Sequence, residues 1–295
     1  MNTWQCDENN HLNVQFYTEF AHEASASLLA HLGFGPRAQR AAEAASRVVD
    51  DHVRYLREFR VVEPVEVHSA PVEVGERDLV AYHEVRNPAK GEVAATIRRR
   101  IECDRPWPAP FRAKAEATCV ALPDSARPRS VGKLTLPDLS LADAPSIGLV
   151  EVGRTQITPD ECDERGDFLP RHYFGRYSDG APVLWNHLGF DRAAMQERQE
   201  GSVVVEMLNH YRRPLQAGDL ASVVLRVDAI GQARAVRARL VALPSGPIGY
   251  GLLAAGFAKG CGDRVQRVGT AVGDHHVGPL TGEGGRGLNF FFTIW

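Results

Sequence analysis

From Asn13 to Leu32 the apolar residues recur as on one face of a helix. Tyr17, Phe20, Ala24, Leu28 and Leu32 stand three or four apart, with Gln15, Thr18, Glu19, His22 and Glu23 elsewhere. A helix of about twenty residues is a rod of ~30 Å. Its middle, Ala24-Ser25-Ala26-Ser27, is small on all sides, so a curved sheet can approach it closely. Gly33 stands where a C-terminal glycine stop is expected. Pro36 to Ser46, rich in Ala and Arg, predicts a second short helix. The period then changes to two: Val48 to Val62, Val65 to Val74, Leu79 to Asn87 and Val93 to Cys103 read as four strands, with the turn residues of Asn87-Pro88-Ala89-Lys90-Gly91 between the last two.

The second half repeats this succession. A strand is expected at Gly148 to Ile157. A long helix starts near Pro170, a good first-turn proline, and Gly180-Ala181-Pro182 should kink or split it. Strands follow at Val203 to Tyr211, Leu220 to Ala229, Ala233 to Leu243 and Ile248 to Ala258. Between the halves, Asp104 to Ser146 is a proline-rich tether with a helix expected at Ala109 to Leu122 and extended chain elsewhere. The tail beyond Gly260 is glycine-rich and ends in the apolar Leu288 to Trp295, which suits docking on the body or an exposed partner site.

The likeness of the halves extends to sequence. Cys6 to Phe34 aligns without a gap with Cys162 to Phe190 at an offset of 156, with nine of 29 positions identical. The register persists through Tyr55 and Tyr211, Arg57 and Arg213, Glu63 and Asp219, Val67 and Val223, and Pro88 and Pro244. A repeat this long is a duplicated domain rather than a solenoid period. One long helix followed by consecutive antiparallel strands argues for an α+β unit with the helix against one sheet. The expected division is unit one at 1–104, a linker at 105–147, unit two at 148–260 and a tail at 261–295.

Composition changes this picture little. The chain has 295 residues, a net charge of −3 and an ordinary share of apolar and charged residues, so nothing points to nucleic acid or an anionic membrane surface. The first ten residues are polar, without a signal-peptide pattern, and the longest apolar run, Ile248 to Ala258, is short of the ~18 residues a membrane span needs. Five scattered cysteines without CxxC spacing suit reduced thiols in a cytoplasm better than disulfides or a zinc site.

The candidate chemistry gathers at the two helix starts. Asp7-Glu8-Asn9-Asn10-His11-Leu12-Asn13-Val14-Gln15-Phe16-Tyr17 leads into the first helix; Asp163, Asp167, Arg171, His172 and Tyr173 form a dense polar group at the second. The form Asp-x-Asn-x-His-x-Asn-x-x-x-Tyr entering a long helix, followed by strands alone, resembles the hotdog-fold acyl-CoA thioesterases of the 4-hydroxybenzoyl-CoA thioesterase type. His52-Val53-Arg54-Tyr55-Leu56-Arg57-Glu58 is similar to a strand pattern of the same family. The resemblance implies a tandem, double-hotdog α+β protein that hydrolyses an acyl-CoA without metal or organic cofactor. It also implies a homo-oligomer built edge to edge; from the charge and composition, no nucleic acid or membrane partner is expected. The site would lie between the two units, with the loop aspartate as nucleophile or general base, carried onto Asp7 and Asp163. Free N–H groups at a helix start suit the developing oxyanion.

Unit one retains His11 and Asn13, where unit two has Asp167 and Leu169, so Asp7 is the favoured carboxylate and Asp163 its alternative. His11 and Asn13 join Asp7 as catalytic candidates; Asp167, Arg171, His172, Tyr17 and Tyr173 are candidates for substrate contact. Each has a plainer role: an aspartate before a helix is often an N-cap, Asn13 suits the same task, His11 can orient the loop, and Tyr17 and Tyr173 suit the core. Cys6 and Cys162 beside the aspartates read as small buried residues rather than nucleophiles. His31 and His187 complement helix ends. Arg57, Arg60, Arg98, Arg99, Arg100, Arg212 and Arg213 could reach coenzyme A phosphates or form a solvated sheet face, with Arg99 opposite to Arg98 and Arg100. Trp4, Tyr173, Tyr177 and Trp185 could line a box for a quaternary-ammonium acyl group, although core packing is their plainer use. Asp274-His275-His276 and Gly282 to Gly287 lack the partners that a metal or phosphate site requires. The rival readings are an acyl-CoA hydratase or dehydratase on the same fold and a non-catalytic acyl-binding module.

Overall fold

The computed structural model describes residues 1–7, 10–129, 131, 146, 148–189, 192–197, 200–230, 233–243 and 246–259. The C-terminal tail, with Asp274-His275-His276, Gly282 to Gly287 and Leu288 to Trp295, lies outside the described residues, as does most of the 130–147 segment.

Unit one opens with the long helix α1 (Val14–His31) and the short α2 (Pro36–Ala41). The strands β1 (Ser46–Tyr55), β2 (Glu66–Val74), β3 (Asp78–Asn87) and β4 (Glu92–Cys103) follow. Helix α3 (Ala109–Ala117) packs back against β2, and β5 (Val150–Gln156) opens the second half. Then come α4 (Pro170–His187), α5 (Arg192–Glu197), β6 (Glu200–Tyr211), β7 (Leu220–Ile230), β8 (Ala233–Leu243) and β9 (Gly246–Lys259). The nine strands among the described residues form one antiparallel sheet in the order β2-β3-β4-β1-β6-β9-β8-β7-β5. Subtracting 156 turns β6-β9-β8-β7 into β1-β4-β3-β2, so the halves are mirrored in order about the seam where Asp50 to Arg54 pair with His210 to Glu206. β5 has no counterpart among the described residues of unit one.

Both long helices lie on one face of this sheet and on each other. A continuous core runs beneath them, from Tyr17, Ala21, Val53 and Ile97 in one half to Tyr173, Phe174, Tyr177 and Met207 in the other. A second cluster closes the far end of α1, where Leu28, Leu32 and Phe34 meet Trp107 and Phe111, whose rings stack at 4.8 Å.

Several elements differ from the sequence expectation. The first strand stops at Tyr55, not Val62, because the N–H groups of Leu56 and Arg57 both turn onto the Ala94 carbonyl. The tether helix stops at Ala117, five residues early: Val120 donates its N–H to Pro71 of β2 instead. The segment after it is no loose extension, since Ala126 and Val131 are buried. α4 is not split at Pro182. The buried face of α1 is also turned from the apolar stripe: Phe20 and Ala24 are only half-buried, while the polar Thr18 and Ser25 are buried. Their hydroxyl-bearing face meets a charged group on the sheet, described next.

Candidate active site

β4 places Arg99 under α1, and β1 places Asp51 beside it. The guanidinium grips the carboxylate through Nε–Oδ1 at 2.6 Å and Nη2–Oδ2 at 2.8 Å, with both side chains fully buried. Tyr211 of β6 donates its hydroxyl to Asp51 Oδ2 at 3.0 Å. Arg99 also reaches Ser25 Oγ and the Thr18 carbonyl, each at 3.4 Å. Ser25 donates to the Ala21 carbonyl at 2.6 Å and lies 3.0 Å from His83 Nε2, and His83 Nδ1 lies 2.7 Å from Ser69 Oγ. A neutral imidazole protonated at Nε2 satisfies both contacts. Burial, then Arg99, lowers the His83 pKa to about 3. Arg98 and Arg100 instead pair with Asp50, on the opposite side of their strand, as alternation requires.

The two helix starts are built alike. Asp7 Oδ1 accepts the His11 N–H at 3.0 Å and Asp163 Oδ1 the Asp167 N–H at 3.0 Å. Each loop closes with a bridge, Cys6 to Leu12 and Cys162 to Phe168, and each passes through a left-handed residue, Asn10 at φ 60° and Gly166 at φ 83°. Asparagine and glycine are the residues that adopt this conformation most readily.

They then diverge. His11 Nε2 lies 3.3 Å from Glu58, tying the first loop to the chain after β1. Asn13 caps α1 by accepting the Gln15 N–H at 3.1 Å. Tyr17 is core, edge-on to Tyr55 at 5.1 Å. In the second loop Asp163 also accepts the Arg165 N–H at 2.8 Å and its guanidinium at 3.1 Å, and Asp167 accepts from Gln216. Leu169, in the N-cap position of α4, gives no side-chain cap.

The second loop borders a cavity. A space of about 660 Å³ lies between the loop Asp163 to Pro170 and the middle of α1. Asp163, Asp167 and Leu169 line one wall, His22, Ser25 and Ala26 another, with Tyr173 and Tyr211 also present. Arg40 and Arg165 contribute charge to the lining, and Arg40 pairs with Glu164 at 2.7 Å. Asp7, His11, Asn13 and Tyr17 do not line this cavity. Arg171 and His172 stand on the first turn of α4 outside its lining: Arg171 pairs with Glu19 of α1, and His172 stacks on Phe168 at 5.5 Å. Burial, then Arg171, lowers the His172 pKa to about 4.

His22 and Ser25 belong to no motif of the sequence. Both lie off the apolar stripe, among ordinary polar positions of the helix, so the sequence carries no signal for them. Cys6 and Cys162 are half-buried rather than buried, and burial followed by the neighbouring acidic groups raises both thiols. A raised thiol is poorly suited to nucleophilic work. Tyr177 is fully buried and Trp185 half-buried against the core, while Trp4 is exposed, so these rings do not form one box. Among the described residues, no group of three or more His, Cys, Asp or Glu side chains could hold a metal ion, and no helix is long and apolar enough to cross a membrane.

Residues 1–103 match the family model of the thioesterase-like superfamily. No curated protein matches the chain. Among solved structures, a Lactobacillus plantarum protein assigned as an oleoyl thioesterase is similar at a TM-score of 0.65 and 12% identity, covering 86% of this chain and 93% of that one. The 12:0-ACP thioesterase from Umbellularia californica aligns at 0.63 and 12%, covering 86% and 91%. An acyl-ACP thioesterase from Bacteroides thetaiotaomicron aligns at 0.60 and 10%, covering 86% and 94%. The chain has the hotdog fold, with two long helices against one antiparallel sheet, and it resembles the hotdog thioesterases.

Proposed function

We propose that the protein is a thioester hydrolase that cleaves an acyl thioester of coenzyme A or acyl carrier protein to a free acid and a thiol. The cavity between the Asp163 loop and α1 carries the reading. It joins an anchored carboxylate, a helix start without a side-chain cap and a neutral histidine around one cleft. The carbonyl oxygen gains charge as it is attacked, and the positive start of α4, where Leu169 gives the Arg171 N–H no side-chain cap, suits that oxyanion. Asp163 serves as nucleophile or general base, or as the charge that supports one. The matching family model and the solved thioesterases of the same fold support the reaction class. The division of the chain at 1–104 and 148–260, a homo-oligomer formed through the outermost strands β2 or β5, and a cytoplasmic setting belong to the same proposal.

A second reading keeps Asp7 as the working acid. It is favoured by the loop that retains His11 and Asn13 and lies inside the matched residues 1–103. The test is free-thiol release from a panel of short, branched, aromatic, long-chain and betainyl acyl-CoAs and the matching acyl carrier proteins. Wild type, Asp7→Ala and Asp163→Ala are compared. Asp163→Ala should lose thiol release while Asp7→Ala retains it. The reverse pattern would select the second reading, and hydroxyacyl or enoyl products in place of free thiol would mean hydratase chemistry.

A further inference from the structure

Arg165 ties Asp163 to the other half of the chain. It follows Asp163 in the loop, and its guanidinium donates to Asp163 Oδ2 through Nε at 3.3 Å and Nη2 at 3.1 Å. The same Nη2 donates to the Ser46 carbonyl at 3.1 Å, at the first residue of β1. It also lies 3.7 Å from Asp167 Oδ2. Arg165, Asp163, Asp167 and Ser46 all line the cavity. One rigid fork of donors thus joins the carboxylate, the loop that carries it and the first strand of unit one.

The two carboxylate oxygens are held differently. Oδ1 accepts the backbone N–H groups of Arg165 at 2.8 Å and Asp167 at 3.0 Å, and Asp7 Oδ1 makes the bond matching the second one, to His11. These bonds shape the loop. Oδ2 is held by the guanidinium. The terminal torsion of an aspartate is soft, so the group that grips Oδ2 decides where that oxygen points. Stability does not account for the grip. Arg165 is 38% exposed and Asp163 23%, and pairs open to water to that degree contribute about 0–1 kcal/mol. The repeat argues the same way. The residue 156 positions before Arg165 is Asn9, neutral and shorter, although Asp7 and Asp163 are equivalent. The guanidinium is thus peculiar to the half whose loop borders the cavity.

We propose that Arg165 is the positioning residue of the site. It fixes Asp163 Oδ2 at the cavity wall and locks the Asp163 loop onto β1, so the working carboxylate of one half is set by the backbone of the other. Arg165 acts through Asp163 and not on the thioester. This assignment rests on the hydrolase reading above, with Asp163 as the working acid, and explains why that acid needs both halves of the chain.

The experiment is steady-state thiol release by wild type, Arg165→Ala, Arg165→Lys, Asp163→Ala and the double variant Arg165→Ala with Asp163→Ala, each checked for folding by circular dichroism. The substrate is the thioester that wild type hydrolyses best. A working group misplaced by about 1 Å costs on the order of 100-fold. In Arg165→Ala kcat should therefore fall by about 10-fold to 100-fold while KM changes little. Added methylguanidinium should restore part of that kcat. Arg165→Lys, which keeps the charge but loses the fork, should fall between Arg165→Ala and wild type. On the Asp163→Ala background, Arg165→Ala should cost nothing further, because its effect passes through Asp163. A folded Arg165→Ala with kcat near wild type overturns the assignment. So does a loss that resides in KM, or one that persists in full without Asp163. If Arg165→Ala does not fold, Arg165→Gln takes its place under the same criteria. Thiol release retained by Asp163→Ala overturns the reading of Asp163 itself, and wild type that releases no thiol from any substrate overturns the hydrolase reading. Both results are distinguishable from a failure of Arg165 alone.

Discussion

Arg99 and Asp51 meet in a two-pronged ion pair beneath α1, at 2.6 and 2.8 Å, with no part of either side chain reaching solvent. The pair joins β4 to β1, and Tyr211 extends it across the seam to β6. A buried pair adds little net stability, but removing one partner strands a charge, at a cost of about 3–5 kcal/mol. Arg99→Met should therefore lose about that much in urea unfolding. The double substitution Arg99→Met with Asp51→Leu should lose less than Arg99→Met alone. Equal or additive losses would mean that packing, not charge, governs this position.

Acid should unfold the protein steeply. His22 and His172 have pKa values lowered to about 4 and His83 to about 3, in each case first by burial. In the unfolded chain each titrates near 6.5. Between these values the unfolded state binds more protons than the folded state, so stability falls as pH falls from about 6.5 toward 4. Each ring contributes up to about 1.4 kcal/mol per pH unit. Unfolding free energy measured from pH 7.5 to 4.5 should show this slope, and His83→Gln should reduce it by about one proton. A flat profile over that range would contradict the neutral buried rings.

Gly180 belongs where α4 crosses the strands closely. A Cβ there would lie 2.5 Å from Val152 Cγ2 and 3.3 Å from Leu225 Cδ1. Gly180→Ala should thus destabilise by about 1–3 kcal/mol, the usual cost of overpacking. Gly175 in the same helix is the control. Its added Cβ would meet only the end of the Gln15 side chain, at 2.8 Å, which can swing away. Gly175→Ala should be neutral or gain up to about 1 kcal/mol from helix propensity. Thermal midpoints of the two variants should move apart.

These positions also mark what the sequence carried. The period-two runs of both halves, the helix that ends before Gly33 and the 156-residue repeat were legible because packing on one face imposes them. Alternation alone separated Arg99 from Arg98 and Arg100. The burial of Arg99 was not legible, because it depends on Asp51, Ser25 and Tyr211 arriving from three other elements. The cavity was hidden for the same reason. The motif drew attention to Asp7, whose loop is tied by His11 to Glu58 and whose helix is capped by Asn13, whereas the cavity opens beside the less motif-like Asp163. His22 signals nothing until a wall stands opposite it. Strand ends were overrun at Val62 because apolar residues continue past Tyr55, where the backbone bonds turn aside.

The contrast between Asn13 and Leu169 gives the last prediction. They are equivalent positions 156 apart, yet Asn13 caps α1 at 3.1 Å and Leu169 leaves α4 without a side-chain cap beside the cavity. A cap is worth about 0.5–2 kcal/mol, so Leu169 withholds stability that asparagine would supply. That sacrifice makes sense if the Arg171 N–H is reserved for an oxyanion, since Pro170 has no N–H and the His172 N–H is bonded to the Leu169 carbonyl. Leu169→Asn should accordingly raise the thermal midpoint while lowering thiol release, by up to about 100-fold to 1,000-fold if the new side chain occupies the donor that the oxyanion uses. Asn13→Leu should cost about 1 kcal/mol in stability and leave thiol release nearly unchanged. Stability and activity moving together in Leu169→Asn would show that the open end of α4 has no part in the chemistry. Opposite movement, with Asn13→Leu silent in activity, would place the oxyanion at α4 rather than α1.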